Sequence, residues 1–200
     1  VGYRDTWLNH AGCVSYHSEV VLHAFDREMP TLPASLLDIG VGNGGSMEVW
    51  IDVLPVGSIV TGIDIDPACA NLGLPVHIGD VTDEGWLRET LRGQWFDVIV
   101  DSTATMSALP WVFLRPGGRL ILEGYDIELV SRLVTDVAAD QDSWLPTEEI
   151  MRVTVYPKVV VIEKRHPRVV PYVDVMVGNF ADVTSEDSLI RQGIKRVIVN

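Results

Sequence analysis

Cysteine is nearly absent from this chain: Cys13 and Cys69 are the only two in 200 residues. Two thiols without a repeated spacing make no disulfide framework and read as ordinary reduced side chains. No Cys/His run has the spacing of a metal site. Basic residues are also scarce, 15 Lys+Arg against 28 Asp+Glu, giving a net charge of −13. No Lys/Arg cluster interrupts that field, which repels a nucleic-acid backbone or an anionic membrane and is compatible with a neutral substrate. No apolar run approaches the ~20 residues of a membrane-spanning helix. The N-terminus shows no charged-then-apolar leader, and no repeat or low-complexity segment is visible. The expectation is a soluble, cytoplasmic chain. What is present suits that class: the 47% hydrophobic content and mean hydropathy of +0.20 can fill the core of one domain.

Apolar periodicity divides the chain into alternating pieces. Tyr16, Val20, Val21, Ala24 and Phe25 give helical spacing over 15–29, ended by Pro30 and Pro33. Strands follow at 35–39, 58–63, 75–78, 95–100 and 119–123. Between them lie helices at 45–54 (with Met47, Trp50, Ile51 and Leu54 on one face) and 83–91, a partly helical stretch at 107–114 and an Arg115-Pro-Gly-Gly118 turn. A helix is expected at 127–139, then two strands at 150–156 and 158–164, so close about Pro157 that they pair antiparallel. Further β-rich pieces lie at 169–177 and 195–199. This rhythm predicts an α/β fold, a Rossmann-like doubly wound sheet, mostly parallel with an antiparallel terminal strand. The expected divisions are a helical cover (1–34), a nucleotide-binding-type domain (35–165) and a β-rich extension (166–200). That extension has three uses open to it: adding strands to the sheet edge, pairing with a second copy in a homodimer, or covering the site.

The densest glycine cluster is Asp38-Ile-Gly-Val-Gly-Asn-Gly-Gly-Ser46, directly after Leu36-Leu37. Glycine serves where φ is positive or a ligand must approach the backbone. The run satisfies two patterns. Gly40-x-Gly42-x-x-Gly45 is the dinucleotide fingerprint. Asp38-x-Gly40-x-Gly42-x-Gly44 is the acidic glycine loop that holds S-adenosylmethionine (SAM) in many methyltransferases.

In an open parallel sheet, ligands bind beyond the carboxyl ends of the strands. Carboxylates gather there: Asp64 after the second strand, Asp80 after the third, Asp101 after the fourth and Glu123 after the fifth. Asp64 lies 20 residues past Gly44, the spacing at which an acid reaches ribose hydroxyls. Asp80, with Val81, is placed to meet an adenine. Taken singly, each has a plainer use: Asp64 or Asp66 capping the turn at Pro67, Asp80 capping the segment from Val81, Glu123 as a solvated strand end. Four in succession favour a nucleoside-bearing cofactor. A dinucleotide needs the helix N-terminus for its pyrophosphate, beside which Asp38 is awkward; SAM instead carries an ammonium that wants an acceptor. No Tyr-x-x-x-Lys pair for hydride transfer is present. The cofactor set is thus Asp38, Gly40, Gly42, Asn43, Gly44, Asp64, Ile65, Asp80, Val81 and Asp101.

The runs LLDIGVGNGGSMEVW, VTGIDIDP, HIGDVTDEGWL, FDVIVD, LRPGGRLILE and VTVYPKVVVIEK resemble the class I SAM-dependent methyltransferases, within them the macrolide-sugar O-methyltransferases of the tylosin and mycinamicin type and the related cephalosporin hydroxylase-like branch. The resemblance covers about residues 15–165. It implies SAM as cofactor, a hydroxylated small-molecule acceptor such as a sugar, and Mg²⁺ held by carboxylates after the fourth and fifth strands, here Asp101 and Glu123. It also implies a His base three residues after the fourth-strand Asp and a second fifth-strand acid. Ala104 and Gly124 stand at those two positions. Asp126 and Tyr125 are the nearby substitutes. Asp101 and His17, the latter on the N-terminal helix, are the candidates for the base, with Asp101, Glu123 and His17 as the catalytic set. A second reading is a SAM-binding protein without catalysis; a third is an NAD-linked oxidoreductase. His77 and Trp111 are expected to pack in the interior.

Overall fold

The computed structural model describes residues 6, 19–103, 105, 108–124, 145–146, 149–156, 158–166, 174–177 and 196–199. The expected helix at 127–139, and the candidates His17, Ala104, Tyr125 and Asp126, lie outside the described residues. In chain order the elements are α1 (Glu19–Glu28), β1 (Ser35–Ile39), α2 (Gly45–Val53), β2 (Ile59–Asp64), a 3-10 turn (Pro67–Asn71), β3 (Val76–Ile78), α3 (Glu84–Thr90) and β4 (Phe96–Asp101). A second 3-10 turn (Leu109–Phe113) leads to β5 (Leu114–Glu123), β6 (Ile150–Tyr156), β7 (Val159–Lys164), β8 (Asp174–Val177) and β9 (Arg196–Val199).

The strands form one sheet in the order β3-β2-β1-β4-β5-β7-β6-β8-β9. From β3 to β5 the pairing is parallel. β7 runs antiparallel between β5 and β6, and β8 and β9 continue beyond β6 in parallel register. The antiparallel strand is thus interior to the sheet, because it is inserted between β5 and β6, and the tail extends the sheet beyond β6.

Alternation along the central strands sends side chains to two covered faces, as a sheet wound on both sides requires. On one face Leu36, Val98, Val100 and Ile121 pack with α1 and with Trp50 of α2. On the other, Leu37, Ile99, Leu120 and Leu122 pack with Leu87 of α3 and with Trp111 and Phe113. Two expectations are corrected. Ile51 is 49% exposed, and Val49 takes the inward place in α2 beside Met47 and Trp50. His77 is exposed because it sits on the edge strand β3.

α3 starts where Asp83 caps it, accepting the Trp86 amide at 3.0 Å. The Arg115-Pro-Gly-Gly118 stretch is a bulge inside β5 rather than a turn before it. Phe96 pairs with Leu114 and Val98 with Arg119, so one residue of β4 faces four of β5. Asp97 fills the gap: its carboxylate accepts from the Ser35 amide (2.8 Å), the Ser35 hydroxyl (3.0 Å) and Arg115 (2.9 Å). Burial pushes this carboxyl up, but those donors prevail and hold it below its ordinary value.

α1 is fixed to the sheet by Glu28. The Tyr156 hydroxyl donates to its Oε1 at 2.6 Å. Its Oε2 faces Arg152 at 3.6 Å and Arg119 at 3.8 Å, and the Arg119 guanidinium also donates to the Glu28 carbonyl. Burial, then the Glu28 carboxylate, pushes the Tyr156 phenol far above its ordinary value.

Candidate functional site

Register aligns the carboxyl ends of the parallel strands. Ile39 is level with Ile63 and with Asp101, Asp101 with Leu122, and Asp64 with Ile78. The loops that follow therefore open on one edge of the sheet, which brings the glycine loop, Asp64, Asp80, Asp101 and Glu123 to the same side.

The loop takes a conformation other residues resist: φ is +90° at Gly40, +56° at Gly42 and +87° at Gly44. Gly44 sits at the N-cap of α2 without a side-chain cap, and Asn43 Oδ1 receives the Gly45 amide at 3.2 Å. Nothing lies within 4 Å of where a Gly42 Cβ would be, so the loop faces open space there. Gly40 is different: a Cβ would meet Ser102 Oγ at 2.8 Å and Thr103 Cγ2 at 3.0 Å. Its bareness admits the loop after β4.

Asp38 is buried below the loop, and its Oδ2 accepts the Ser46 hydroxyl at 2.6 Å. It thereby ties β1 to the first turn of α2. Asp64 faces the loop from β2: Oδ2 accepts the Gly42 amide and Oδ1 the Asp66 amide, both at 2.8 Å. A carboxylate oxygen has capacity beyond one bond, so ribose hydroxyls can still be received. The Cys69 thiol donates to the Gly42 carbonyl at 3.1 Å, so the two peptide groups that flank this residue are each held by one side chain. Burial, then Asp64 and Asp66, raise this thiol above its ordinary value, keeping it protonated as the donor. Ile65 is exposed beside Asp64, an apolar surface next to the glycine loop. Asp66 caps the first 3-10 turn through the Ala68 amide.

Asp80 is exposed, and its Oδ1 accepts the Thr82 hydroxyl (2.7 Å) and amide (2.8 Å). The Thr82 hydroxyl, then its amide, hold this carboxyl below its ordinary value. Val81 is buried behind it. Trp86 packs so closely on Gly79 that a Cβ there would meet its ring at 2.2 Å.

Asp101 is almost fully buried. Its Oδ1 accepts the Thr103 hydroxyl at 2.6 Å and the Thr103 amide at 2.9 Å. Burial raises this carboxyl, and the Thr103 hydroxyl and amide oppose the rise. Thr103 Oγ1 lies 2.8 Å from Thr105 Oγ1. Glu123 stands half-buried at the end of β5. Gly124 has φ +84°, and its amide donates to the Lys158 carbonyl at 2.8 Å; the chain turns there in a conformation an acidic residue would hold only under strain.

Asp101 and Glu123 are the described carboxylates at the positions that the resemblance gives to a divalent ion. Among the described residues no group of three His, Cys, Asp or Glu is gathered to hold a metal, and Asp101 Oδ1 is already taken by two donors. Trp111 packs in the interior, as expected: it is buried, its indole donates to Glu149 at 2.8 Å and Lys164 lies 5.1 Å from its ring centre. Ser46, Cys69, Trp86, Thr103 and Thr105 escaped the sequence reading. Cys69 reaches Gly42 and Thr103 reaches Gly40 from distant segments, whereas Ser46, Trp86 and Thr105 meet partners close by in the chain without a motif that marks the contact.

No family model and no curated protein matches the chain. Solved structures do. The MycE methyltransferase of the mycinamycin biosynthetic pathway, in complex with Mg, SAH and mycinamycin VI, superposes with a TM-score of 0.63 at 19% identity over 86% of this chain and 57% of its own. A second MycE crystal form, with Mg and SAH, gives 0.66 at 18% identity over 96% and 60%. TrmN from Thermus thermophilus gives 0.50 at 20% identity over 81% and 52%. The chain thus spans little more than half the length of these structures, and has the fold of class I SAM-dependent methyltransferases.

Proposed function

We propose that the chain is a SAM-dependent O-methyltransferase acting on a hydroxyl of a small neutral acceptor, a sugar or a glycosylated metabolite. The residue that carries this reading is Gly42. It is held by Asp64 and Cys69, bends to φ +56° and faces open space, which suits a backbone cradle for a ligand. The likeness to the SAH-bound MycE fold supports SAM as that ligand. In this reading Gly40, Gly42 and Gly44 receive the amino-acid end of the cofactor, Asp64 the ribose, and Ile65, Asp80 and Val81 the adenine.

Bound SAM supplies a sulfonium methyl: its S–CH₃ bond breaks with the pair kept on sulfur as the O–CH₃ bond forms. The protein positions the acceptor oxygen for in-line attack and takes its proton. Asp101 is the carboxylate at that strand end, and its burial makes it the more basic. Asp101 and Glu123 are the carboxylates that would hold a divalent ion, which would ease loss of the acceptor hydroxyl's proton when bound.

Calorimetry with SAH and with NAD tests the cofactor. We expect SAH binding and no NAD binding, and chelation leaves SAH affinity unchanged because the cofactor residues include no metal cluster. Absence of SAH binding overturns the reading. Ala104 at the base position favours a second reading, a SAM-binding protein without catalysis. Methyl transfer to a panel of methyl glycosides, lost in Asp101→Asn, decides against it.

A further inference from the structure

The hydroxyl chain after β4 has a fixed direction. Asp101 Oδ1 accepts the Thr103 amide and, on the same oxygen, the Thr103 hydroxyl. A hydroxyl has one hydrogen, so Thr103 spends its own on Asp101. The 2.8 Å contact between Thr103 Oγ1 and Thr105 Oγ1 must then be donated by Thr105. Thr105 has thereby committed its only hydrogen inward, and its oxygen is left as an acceptor on an exposed residue. The chain runs from a buried carboxylate to the surface, one residue past Ala104. It also lies against the glycine loop, since Thr103 Cγ2 fills the space a Gly40 Cβ would take.

We infer that Thr105 is an acceptor-contacting residue whose Oγ1 receives a hydrogen bond from a hydroxyl of the methyl acceptor, the Asp101–Thr103–Thr105 chain fixing its polarity. This rests on the methyl-transfer reading above. An acceptor-only oxygen selects a donor: it orients a neutral O–H and meets a phosphate or carboxylate with lone pairs facing lone pairs. Thr105 therefore favours an acceptor that presents a hydroxyl at this position over one that presents a phosphate or carboxylate there, and the chain's net charge of −13 works in the same direction.

The test uses the chain with methyl glycosides of hexoses and 6-deoxyhexoses, their uronic acids and their sugar phosphates. In Thr105→Val, nearly isosteric but without the hydroxyl, KM for the glycoside rises about fivefold to tenfold, the worth of one hydrogen bond. Its kcat changes less, and SAH affinity by calorimetry is unchanged. Thr105→Ser restores KM, and the uronic acids and phosphates are poor substrates for the parent. An unchanged KM in Thr105→Val, or a preference for the anionic sugars, overturns the inference while the methyl-transfer reading stands. SAH binding without transfer to any glycoside overturns the inference together with that reading. A fall in SAH affinity in Thr105→Val also overturns it, because the residue would then be acting on the fold.

Discussion

Three glycines in the site are constrained in different ways, and substitutions separate them. Alanine at Gly42 meets no neighbour, so its stability cost is the left-handed backbone alone, about 1 kcal/mol. If the space above Gly42 belongs to the cofactor, that methyl lowers SAH affinity by more than tenfold, roughly a 1.4 kcal/mol effect. Alanine at Gly40 adds a collision with Ser102 and Thr103 to the same backbone penalty, costing about 2–3 kcal/mol. Urea unfolding of the two variants should rank them in that order, and calorimetry should show Gly42→Ala impaired in binding although it is the better folded. Gly124 stands where the resemblance places an acid. Restoring one as Gly124→Glu forces a side chain onto φ +84° and should lower stability by about 1–2 kcal/mol, read as a lower urea midpoint.

At the scale of elements, Asp97 holds the entry of β1 to the bulge of β5 through Ser35 and Arg115. Because its folded value lies below the ordinary one, the stability it gives is complete above the unfolded carboxylate range. That stability is lost as pH falls through the depressed folded value. Asp97→Asn should therefore be destabilised at pH 7, by about 1–2 kcal/mol for the charge-assisted bonds. The gap to the parent in thermal midpoint should close as the pH is taken below 4. The elements themselves were legible in the sequence wherever a buried strand made a mostly apolar run. β1 was found to the residue, and β4 within one, since both faces of these strands are covered. The site was legible at the strand ends, where glycine and carboxylate stand out against that background. It was not legible after β4: the role of Thr103 depends on a rotamer and on Gly40, sixty residues earlier, leaving no periodic mark. The bulge in β5 was misplaced for a similar reason, since Arg115-Pro-Gly-Gly118 has turn composition and only its pairing with Phe96 makes it part of the strand.

At the scale of the molecule, Glu28 joins α1 to β5 and β6 through Arg119, Arg152 and Tyr156. Tyr156→Phe removes one hydrogen bond to a buried carboxylate and should cost about 1–2 kcal/mol. Glu28→Ala leaves the two guanidiniums without this partner and should cost about 2 kcal/mol. Because the groups share one network, the double variant should lose less than the sum, a coupling of about 1 kcal/mol in a urea double-mutant cycle. Additive losses would mean that the Tyr156 hydroxyl and the Glu28 carboxylate stabilise the fold independently of each other. The interior position of β7 carries a consequence for synthesis. β5 emerges from the ribosome early, yet one of its two sheet neighbours is completed only with Lys164. Until then a nascent chain carries the apolar end of β5, Leu120-Ile-Leu122, with one edge unpaired, the form most prone to stick to another copy. The order of strands in the sheet thus sets an interval in translation during which this protein depends on speed, or on a chaperone, to reach the fold that holds its site.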